Sequence, residues 1–354
     1  MKIIHLTYTL DYGGIETMLV NIANEQAKAA EVALFIINDR VESSLRDALD
    51  RKKVRLIETR RPIGSKNPFY LFRLNFLLQR EKADVIHVHQ SGIIRFLFPP
   101  LLKKSCLVFT MHDIPLAEDL AYLRYYPHIF AISRSVQQAL ELDGYKSTVV
   151  YNGIVPENFS QSVAADSEKC FRMVQVSRLF HEKKGQDLLL KACAMLVERW
   201  GIRNFSLDFI GEGASKNYLQ GLVAELGLDS FVRFLGSKPP SYIASHLKDY
   251  DLFVQPSRWE GFGLTVAEAM AAKVPVLVSD QEGPMEVIDN GAYGFHFPSG
   301  NVEKCAAAIR EIMQRSDRKV LAEKAASYVE KMFDVRQTAR NYLHEYKKCM
   351  VRNH

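Results

Sequence analysis

Two glutamates, Glu260 and Glu268, are the residues of this 354-residue chain whose type and spacing best fit chemistry. They enclose the segment Gly-Phe-Gly-Leu-Thr-Val-Ala and follow a hydrophobic run. This order predicts a strand, a glycine loop and a helix, which in α/β proteins brings polar groups to the carboxyl end of a sheet. Gly261 and Gly263 let backbone amides approach a ligand closely. A helix that begins near Leu264 directs its unpaired N–H groups at an anion.

The carboxylates themselves indicate which ligand would surround that anion. Because a carboxylate repels a phosphate, Glu260 and Glu268 are expected to accept hydrogen bonds from neutral hydroxyl groups on either side of it. A phosphate with hydroxyl groups at both ends describes a nucleotide sugar. The alternative is a surface turn into an ordinary helix with Glu268 solvated, and the flanking sequence favours the ligand site.

Cations follow an earlier predicted strand, at 171–176. Arg178 comes two residues after the end of this strand, and Lys183 and Lys184 stand a few positions later, before Gly185. Arg offers a planar fork of donors and Lys a compact charge, so the group suits a departing diphosphate. Alone, the same residues would more often form a solvated turn.

In the first half of the chain, two strand ends carry candidate ligand groups. Gly13 and Gly14 lie between the first predicted strand and a predicted helix at 15–27, so they are predicted to form a second glycine loop that faces the ligand. The alternative is that they only provide the turn at the start of this helix. His112 follows the predicted strand at 107–110. A lone histidine is often a core residue, but one at a strand end is a better candidate for a ligand contact.

Three further segments resemble known binding motifs. Gly211 and Gly213 follow a strand, but the third glycine of a dinucleotide fingerprint is missing, so that function is excluded. Lys238 follows the next predicted strand and is expected to border a base. Asp249-Tyr250-Asp251 mimics a metal-binding pair but precedes a buried strand, so we predict no metal.

Apolar β-rich runs alternate with helical patterns, which predicts an α/β fold with parallel sheets in two doubly wound, Rossmann-like domains that face each other across a cleft. The domains are predicted at 1–158 and 169–333, joined by a linker at 159–168. A helix at 334–354 is predicted to cross back to the first domain. The predicted strands are 2–7, 32–37, 54–57, 85–89, 107–110, 129–132 and 148–151, then 171–176, 206–209, 232–235, 252–255, 274–278 and 294–297.

Composition limits the class of protein. The hydrophobic content of 47% and charged content of 25% are typical of a soluble globular protein. We expect neither a secretory signal, because the apolar run near residue 1 is short and ends in polar residues, nor a membrane span, because no run approaches about 18 apolar residues. Five scattered cysteines form no disulfide or zinc pattern, which favours a cytoplasmic location.

Positive charge is concentrated in residues 51–104, where 13 Lys and Arg stand against three acidic residues. The net charge of that segment is +10, whereas the net charge of the whole chain is +5, so the rest of the chain has a net negative charge. Aromatic and aliphatic residues are interleaved with the charges, which favours peripheral binding to an anionic membrane. An alternative interpretation has the same weight: the apolar residues pack helices on the sheet, and the charged residues face water. Nucleic-acid binding is not expected, because no reader motif accompanies the charge.

Taken together, the Gly-Gly loop, Arg178-Leu179, Lys184-Gly185 and the EGFGLTVAE segment resemble the retaining glycosyltransferases of family 4, which have the GT-B fold. The resemblance spans nearly the whole chain. It implies that Glu260 contacts sugar hydroxyls, that Glu268 contacts the ribose, and that His112 lies near the sugar. The residues it implies for the diphosphate and the nucleotide are Arg178, Lys184, Gly13, Gly14, Gly211, Gly213, Lys238, Gly261, Phe262, Gly263, Leu264 and Thr265.

The resemblance also implies a reaction. A sugar would move from a nucleoside diphosphate donor, UDP being favoured, to a hydroxyl group of a glycan or lipid-linked acceptor, with retention and with no metal or other cofactor. Bacterial surface polysaccharide synthesis at the inner face of the cytoplasmic membrane is the expected setting. The alternatives are a nucleotide-sugar epimerase or hydrolase on the same fold, or a non-catalytic binding protein. Glu282 replaces a glycine of the family pattern, and Lys183 competes with Lys184 as the diphosphate ligand.

Overall fold

A computed structural model describes residues 1–11, 13–98, 104–160 and 170–352 of the chain. These residues form two compact units. The first comprises residues 1–154 and 333–354, and the second comprises residues 155–332. The predicted linker at 159–168 falls almost entirely outside the described residues, as does part of the basic segment at 99–103.

The first unit is built on a seven-stranded parallel sheet in the order β3-β2-β1-β4-β5-β6-β7. Strand β2 is buried at seven of its eight residues, as expected of a parallel strand with both faces covered. The strands are β1 Lys2–Thr7, β2 Glu31–Asn38, β3 Val54–Arg61, β4 Val85–Val88, β5 Cys106–Met111, β6 His128–Ala131 and β7 Thr148–Val149.

Six α-helices lie among the described residues of this unit. They are α1 Gly14–Gln26, α2 Ser43–Ala48, α3 Pro68–Glu81, α4 Ala117–Leu123, α5 Arg134–Leu142 and, from the end of the chain, α14 Val335–Arg352. Tyr342 and Tyr346 on α14 are fully buried and bond Thr110 and His87 respectively, so this last helix contributes to the core of the first unit.

The second unit is built on a six-stranded parallel sheet in the order β10-β9-β8-β11-β12-β13. Its strands are β8 Phe171–Val176, β9 Phe205–Ile210, β10 Val232–Gly236, β11 Leu252–Gln255, β12 Val276–Ser279 and β13 Phe295–Phe297. Its helices are α6 His181–Lys184, α7 Gln186–Trp200, α8 Lys216–Glu225, α9 Pro240–His246, α10 Leu264–Ala271, α11 Glu282–Val287, α12 Val302–Gln314 and α13 Arg318–Met332.

Each sheet has a point at which its strand order reverses. In the first unit it lies between β1 and β4, and in the second between β8 and β11. Loops that leave the carboxyl ends of such strands diverge, and the crevice between them is the usual ligand site of open α/β sheets. The candidate residues after β8 and β11 are therefore brought to one edge of one sheet.

The chain passes from the first unit to the second after Ile154, four residues before the predicted boundary. Residues 156–160 belong to the second unit because Ser160 N donates a hydrogen bond to Ala244 O at 3.0 Å. The chain returns at Phe333, where Ile154 N donates to Phe333 O at 2.8 Å and Val335 N donates to Ile154 O at 2.7 Å. Among the described residues, we find no helix that is both long enough and apolar enough to span a bilayer.

Candidate active site

The loop that follows β11 is organised around the carboxylate of Glu260. Its Oε2 accepts a hydrogen bond from Gln255 Nε2 at 2.9 Å and a longer one from Ser257 Oγ at 3.4 Å. Gln255 ends β11 and is 1% exposed, and its amide oxygen accepts a bond from Thr265 Oγ1 at 2.9 Å. One buried amide therefore connects the first glutamate of the motif to the first turn of α10.

Lys184 forms an ion pair with Glu260. Lys184 ends α6, and Gly185 follows it in the left-handed conformation with a φ of 67°. A side chain at Gly185 would collide with the Pro256 carbonyl oxygen, so glycine is needed for α6 to end this close to the β11 loop. The sequence assigns Lys184 to a diphosphate and Glu260 to a sugar, and the structure adds that the two bind each other.

Arg178 lies at the end of β8 with an exposed side chain. Its guanidinium makes no hydrogen bond or ion pair with the part of the chain that the structure describes, so it is available to a ligand. Its backbone is fixed, because the Gln186 amide donates a hydrogen bond of 2.9 Å to the Arg178 carbonyl oxygen. A fixed backbone with an unpaired cation suits the binding of an anion.

The loops after β8 and β9 lie backbone against backbone. Gly211 has a φ of 142°, and a side chain there would collide with the Ser177 carbonyl oxygen. Gly213 is enclosed in the same way by the Leu179 carbonyl group. Both glycines therefore bring their loop against the Arg178 segment. Lys238, just after β10, places its ammonium 5.2 Å from the centre of the Tyr242 ring.

The start of α10 has the form that the sequence predicts. Gly263 caps the helix with a φ of 103°, Leu264 is its first residue, and Gly261 and Phe262 are buried before it. The first N–H groups of a helix lack intrahelical partners and favour an anion. Gly283, at the start of α11, packs so closely on the backbone of this loop that a side chain would collide with the Glu260 carbonyl oxygen.

Glu282, which differs from the family pattern, does not disturb this close contact, because the residue that makes the contact is Gly283. Glu282 is the preceding residue and the first residue of α11, and its side chain is exposed. A carboxylate in the first turn of a helix interacts favourably with the helix dipole. The substitution is therefore compatible with the local fold.

Glu268 lies one turn inside α10, in a side-chain environment unlike that of Glu260. Burial raises the pKa of its carboxyl group from 4.5 to about 7. The carboxyl group makes no hydrogen bond to any described residue. The side chain is only partly buried, so this acceptor without a donor is poised to gain one from a ligand hydroxyl group.

The first unit has a cavity of about 360 Å³ at the ends of β1, β4 and β5. Its wall contains the predicted residue His112 together with charged side chains of both signs, and is formed by Tyr8, His89, Gln90, Ser91, Gly92, Arg95, Phe109, Met111, His112, Asp113, Glu118, Asp119 and Tyr122. His112 Nε2 lies 2.9 Å from His89 Nδ1, and burial lowers the pKa of His112 to about 3. The cavity offers both hydrogen-bond donors and acceptors to a polar ligand.

The predicted residues thus fall into two sets. Gly13, Gly14 and His112 belong to the first unit, where Gly14 begins α1 and His112 follows β5. The remaining predicted residues all belong to the second unit and lie on the segments that follow its strands, with Lys184 at the end of α6 and Glu268 one turn inside α10. Within that set, the side chains in direct contact are those of Lys184 and Glu260.

Sequence reasoning missed the side chains that hold these groups in place. Arg258 donates two hydrogen bonds to the Asp187 carboxylate, at 2.9 and 2.8 Å, and its charge lowers the pKa of Asp187. Arg258 also bonds the His181 carbonyl oxygen, which ties the β11 loop to α6. Gln255 was missed as well, although a glutamine at the end of an apolar strand is a usable signal.

Fold and site together define a class, the two-unit α/β transferases of the GT-B type. Residues 157–331 match the family described as glycosyl transferases group 1, and residues 12–158 match glycosyltransferase family 4. The chain belongs to this glycosyltransferase family.

The chain is also similar in sequence to glycosyltransferases and similar in fold to a solved structure. The amylovoran biosynthesis glycosyltransferase AmsK of Erwinia amylovora is 31% identical over 60% of this chain and 56% of its own length. An uncharacterized glycosyltransferase of Methanocaldococcus jannaschii is 30% identical over 67% of this chain and 68% of its own length. A UDP-Gal:alpha-D-GlcNAc-diphosphoundecaprenol alpha-1,3-galactosyltransferase of Escherichia coli is 25% identical over 71% of both chains. The crystal structure of Anabaena HepE with UDP and glucose has a TM-score of 0.80 at 22% identity, covering 98% of this chain and 100% of that one.

Proposed function

We propose that this glycosyltransferase moves a sugar from a nucleoside diphosphate sugar, with UDP as the favoured carrier, to a hydroxyl group of a glycan or lipid-linked acceptor, with retention at the anomeric carbon. One observation carries the proposal. Three groups lie in segments that follow the neighbouring strands β8 and β11 of one sheet: the cation of Arg178, the helix start at Leu264, and the partly buried carboxyl group of Glu268, which has no donor among the described residues. The HepE crystal structure, which holds UDP and glucose, supports a UDP-sugar donor.

The donor's diphosphate would be stabilised as it departs by the Arg178 charge, by Lys184 and by the amides that begin α10. Glu260 would accept hydrogen bonds from the sugar and Glu268 from the ribose. The bond between the anomeric carbon and the diphosphate oxygen breaks, the acceptor oxygen forms the new bond on the same face, and its proton passes to the departing diphosphate. These residues supply the charge stabilisation that a metal ion supplies elsewhere, so we propose that no metal is needed.

The test is transfer from UDP-glucose and UDP-galactose by Arg178→Ala, with Glu198→Ala as the control because Glu198 is exposed on α7. Removing a charge that acts on the leaving group is expected to cost about 3 kcal/mol, or roughly 100-fold in kcat. NMR of the product reports the anomeric configuration, and EDTA should leave the rate unchanged. A rate for Arg178→Ala equal to that of the parent would contradict the proposed role.

The rivals give different outcomes in the same assay. An epimerase or hydrolase on this fold would convert or release the sugar with no acceptor present. A non-catalytic binding protein would be stabilised by UDP, by an amount set by RT ln(1 + [L]/Kd), but would turn nothing over. Transfer that depends on an added acceptor excludes both.

We further propose that α3 binds an anionic membrane surface, where a lipid-linked acceptor would be found. Phe69, Phe72 and Phe76 are 57, 62 and 59% exposed and are spaced to share one face of the helix. Arg73 and Arg80 are exposed on the same helix and form no ion pair with a described residue. Exposed aromatic rings with flanking cations suit the interface of an anionic bilayer. The lipid-linked substrate in the name of the E. coli relative agrees with this setting, as does the polysaccharide in that of AmsK.

The membrane proposal is tested by sedimentation with vesicles of phosphatidylglycerol and phosphatidylethanolamine at low salt. Replacing the three phenylalanines by serine is expected to release most of the bound protein, and added salt should do so as well. Leu142→Ser is the matched control, since Leu142 is 90% exposed on α5. Equal binding of the triple variant and the control would remove α3 from the interface.

A further inference from the structure

A chain of hydrogen-bonded side chains runs from the cavity wall of the first unit into its core. His112 Nε2 lies 2.9 Å from His89 Nδ1, His89 Nε2 lies 3.0 Å from His5 Nδ1, and His5 Nε2 lies 2.7 Å from Gln26 Oε1. His5 and Gln26 are fully buried and His89 is 2% exposed. These four side chains are called the relay below.

The end of the relay at Gln26 determines where its protons lie. An amide oxygen only accepts hydrogen bonds, so His5 Nε2 must carry a proton. Neutral His5 then has no proton on Nδ1, and this nitrogen accepts a hydrogen bond from the N–H group at His89 Nε2. His89 Nδ1 is bare in turn and accepts from a protonated His112 Nε2.

This arrangement of protons needs neutral imidazole rings, and burial of the three histidines favours the neutral form. Burial lowers the pKa of His5 to about 4 and that of His112 to about 3, and it lowers the pKa of His89 well below 6.5. Asp113, the charged group that acts on His112, raises its pKa too little to reverse this. The hydrogen bond to Gln26 raises the pKa of His5, as expected of a group that accepts a hydrogen bond from the ring N–H.

We propose that Gln26, acting through His5 and His89, fixes His112 as the neutral tautomer with its proton on Nε2. His112 Nδ1 is then an acceptor, and it is covered and has no hydrogen-bond partner among the residues that the structure describes. Gln26, His5 and His89 are positioning residues in this scheme. His112 presents an uncharged ring to the cavity and transfers no proton at neutral pH.

The consequence for catalysis rests on the proposed function. A neutral ring in the cavity wall does not attract a phosphate, and it leaves the place beside His112 to a neutral group such as a hydroxyl group of the sugar or the acceptor. The relay therefore selects the kind of group that binds beside His112, and residues deep in the core set that selection.

The experiment is a long-range 1H–15N correlation on the full chain labelled with 15N-histidine, at pH 7, with His112 assigned from the spectrum of His112→Asn. One protonated nitrogen, Nε2, and one bare nitrogen, Nδ1, are expected at His112. A proton on Nδ1, or on both nitrogens, overturns the proposal. This measurement needs no substrate, so its outcome is independent of whether the chain transfers a sugar.

The role of Gln26 is tested by Gln26→Met, which keeps the volume and removes the acceptor. Its matched control is Thr59→Val, an equally buried polar position of the first unit outside the relay. With circular dichroism unchanged, Gln26→Met is expected to give a mixture of His112 tautomers and to lower kcat about 10-fold with the KM for the donor unchanged. A folded Gln26→Met protein that keeps the parent tautomer overturns the role of Gln26. Should Gln26→Met fail to fold, the tautomer of the parent protein still decides the proposal.

Discussion

At the scale of single residues, the two glutamates of the EGFGLTVAE segment have different hydrogen-bond partners. Glu260 accepts hydrogen bonds from Gln255 and Ser257 and is paired with Lys184. Glu268 has no donor among the described residues, and burial raises the pKa of its carboxyl group to about 7. The same residue type thus forms an ion pair at one position, whereas at the other burial favours its protonated form.

The raised pKa of Glu268 predicts a pH dependence of stability. The unfolded carboxyl group ionises near 4.5 and the folded one near 7, so the free energy of unfolding should fall as pH rises from 4.5 to 7 and then stay low. Glu268→Gln removes this loss. At pH 8 the variant should be more stable than the parent by up to about 3 kcal/mol, and at pH 4 the two should be equal.

Urea unfolding of the second unit at pH 4 and pH 8 measures this difference. Glu198→Gln, at an exposed position of α7, serves as the control and should match the parent at both pH values. Under the proposed function, the stabilised Glu268→Gln variant should bind UDP more weakly, because the ribose loses an ionisable acceptor. Equal stability of Glu268→Gln and the parent at pH 8 would mean that the carboxyl group is better solvated than its burial indicates.

At the scale of elements, the glycines after β8 and β9 determine how closely the ligand loops pack. Gly211→Ala should destabilise the second unit by about 2 kcal/mol or more, because its φ of 142° and the Ser177 carbonyl group both exclude a side chain. The shift in the urea midpoint of unfolding measures the effect.

Gly221→Ala is the matched control for that substitution. Gly221 lies in the exposed middle of α8 with open space around it, so alanine there should stabilise the protein by about 0.5–1 kcal/mol. Destabilisation of similar size by both substitutions would mean that the close contact of the β8 and β9 loops is not what Gly211 provides.

The elements themselves were largely predictable. The predicted strands at 2–7, 171–176 and 252–255 coincide with β1, β8 and β11, because buried parallel strands are short apolar runs that glycine and polar residues bound clearly. Strand β3 extends to Arg61, four residues beyond its predicted end, because its later half is polar and gives no apolar signal.

The supporting side chains of the site were not predictable in the same way. The relay joins residues 84 positions apart in the chain, His5 and His89, and the sequence shows neither their distance nor their shared hydrogen bond. The Arg258–Asp187 pair joins positions 71 apart. Sequence patterns locate residues within an element, whereas these contacts depend on how the elements pack.

At the scale of the whole molecule, the second unit is a continuous stretch of chain and the first is not. The first unit needs α14, since Tyr342 and Tyr346 fill its core and Thr338 Oγ1 donates to the Tyr151 carbonyl oxygen at 2.9 Å. A fragment of residues 1–154 is therefore expected to be unfolded or aggregated, and a fragment of residues 155–332 is expected to fold and bind UDP.

Amide dispersion in 1H–15N spectra of the two fragments, with and without UDP, tests this expectation. The full chain in the same buffer is the reference for a folded first unit. A well-dispersed spectrum from residues 1–154 alone would show that α14 is dispensable to that fold.

The return of the chain at Phe333 also imposes an order in time. A ribosome finishes residues 155–332 before it makes α14, so the second unit has all of its strands while the first still lacks a core helix. At about 5–20 residues per second, synthesis of the second unit takes on the order of ten seconds or more. During that interval the surface of the first sheet that α14 covers is without its partner. A chaperone that binds apolar surface would therefore find its target on the part of the protein that is made first.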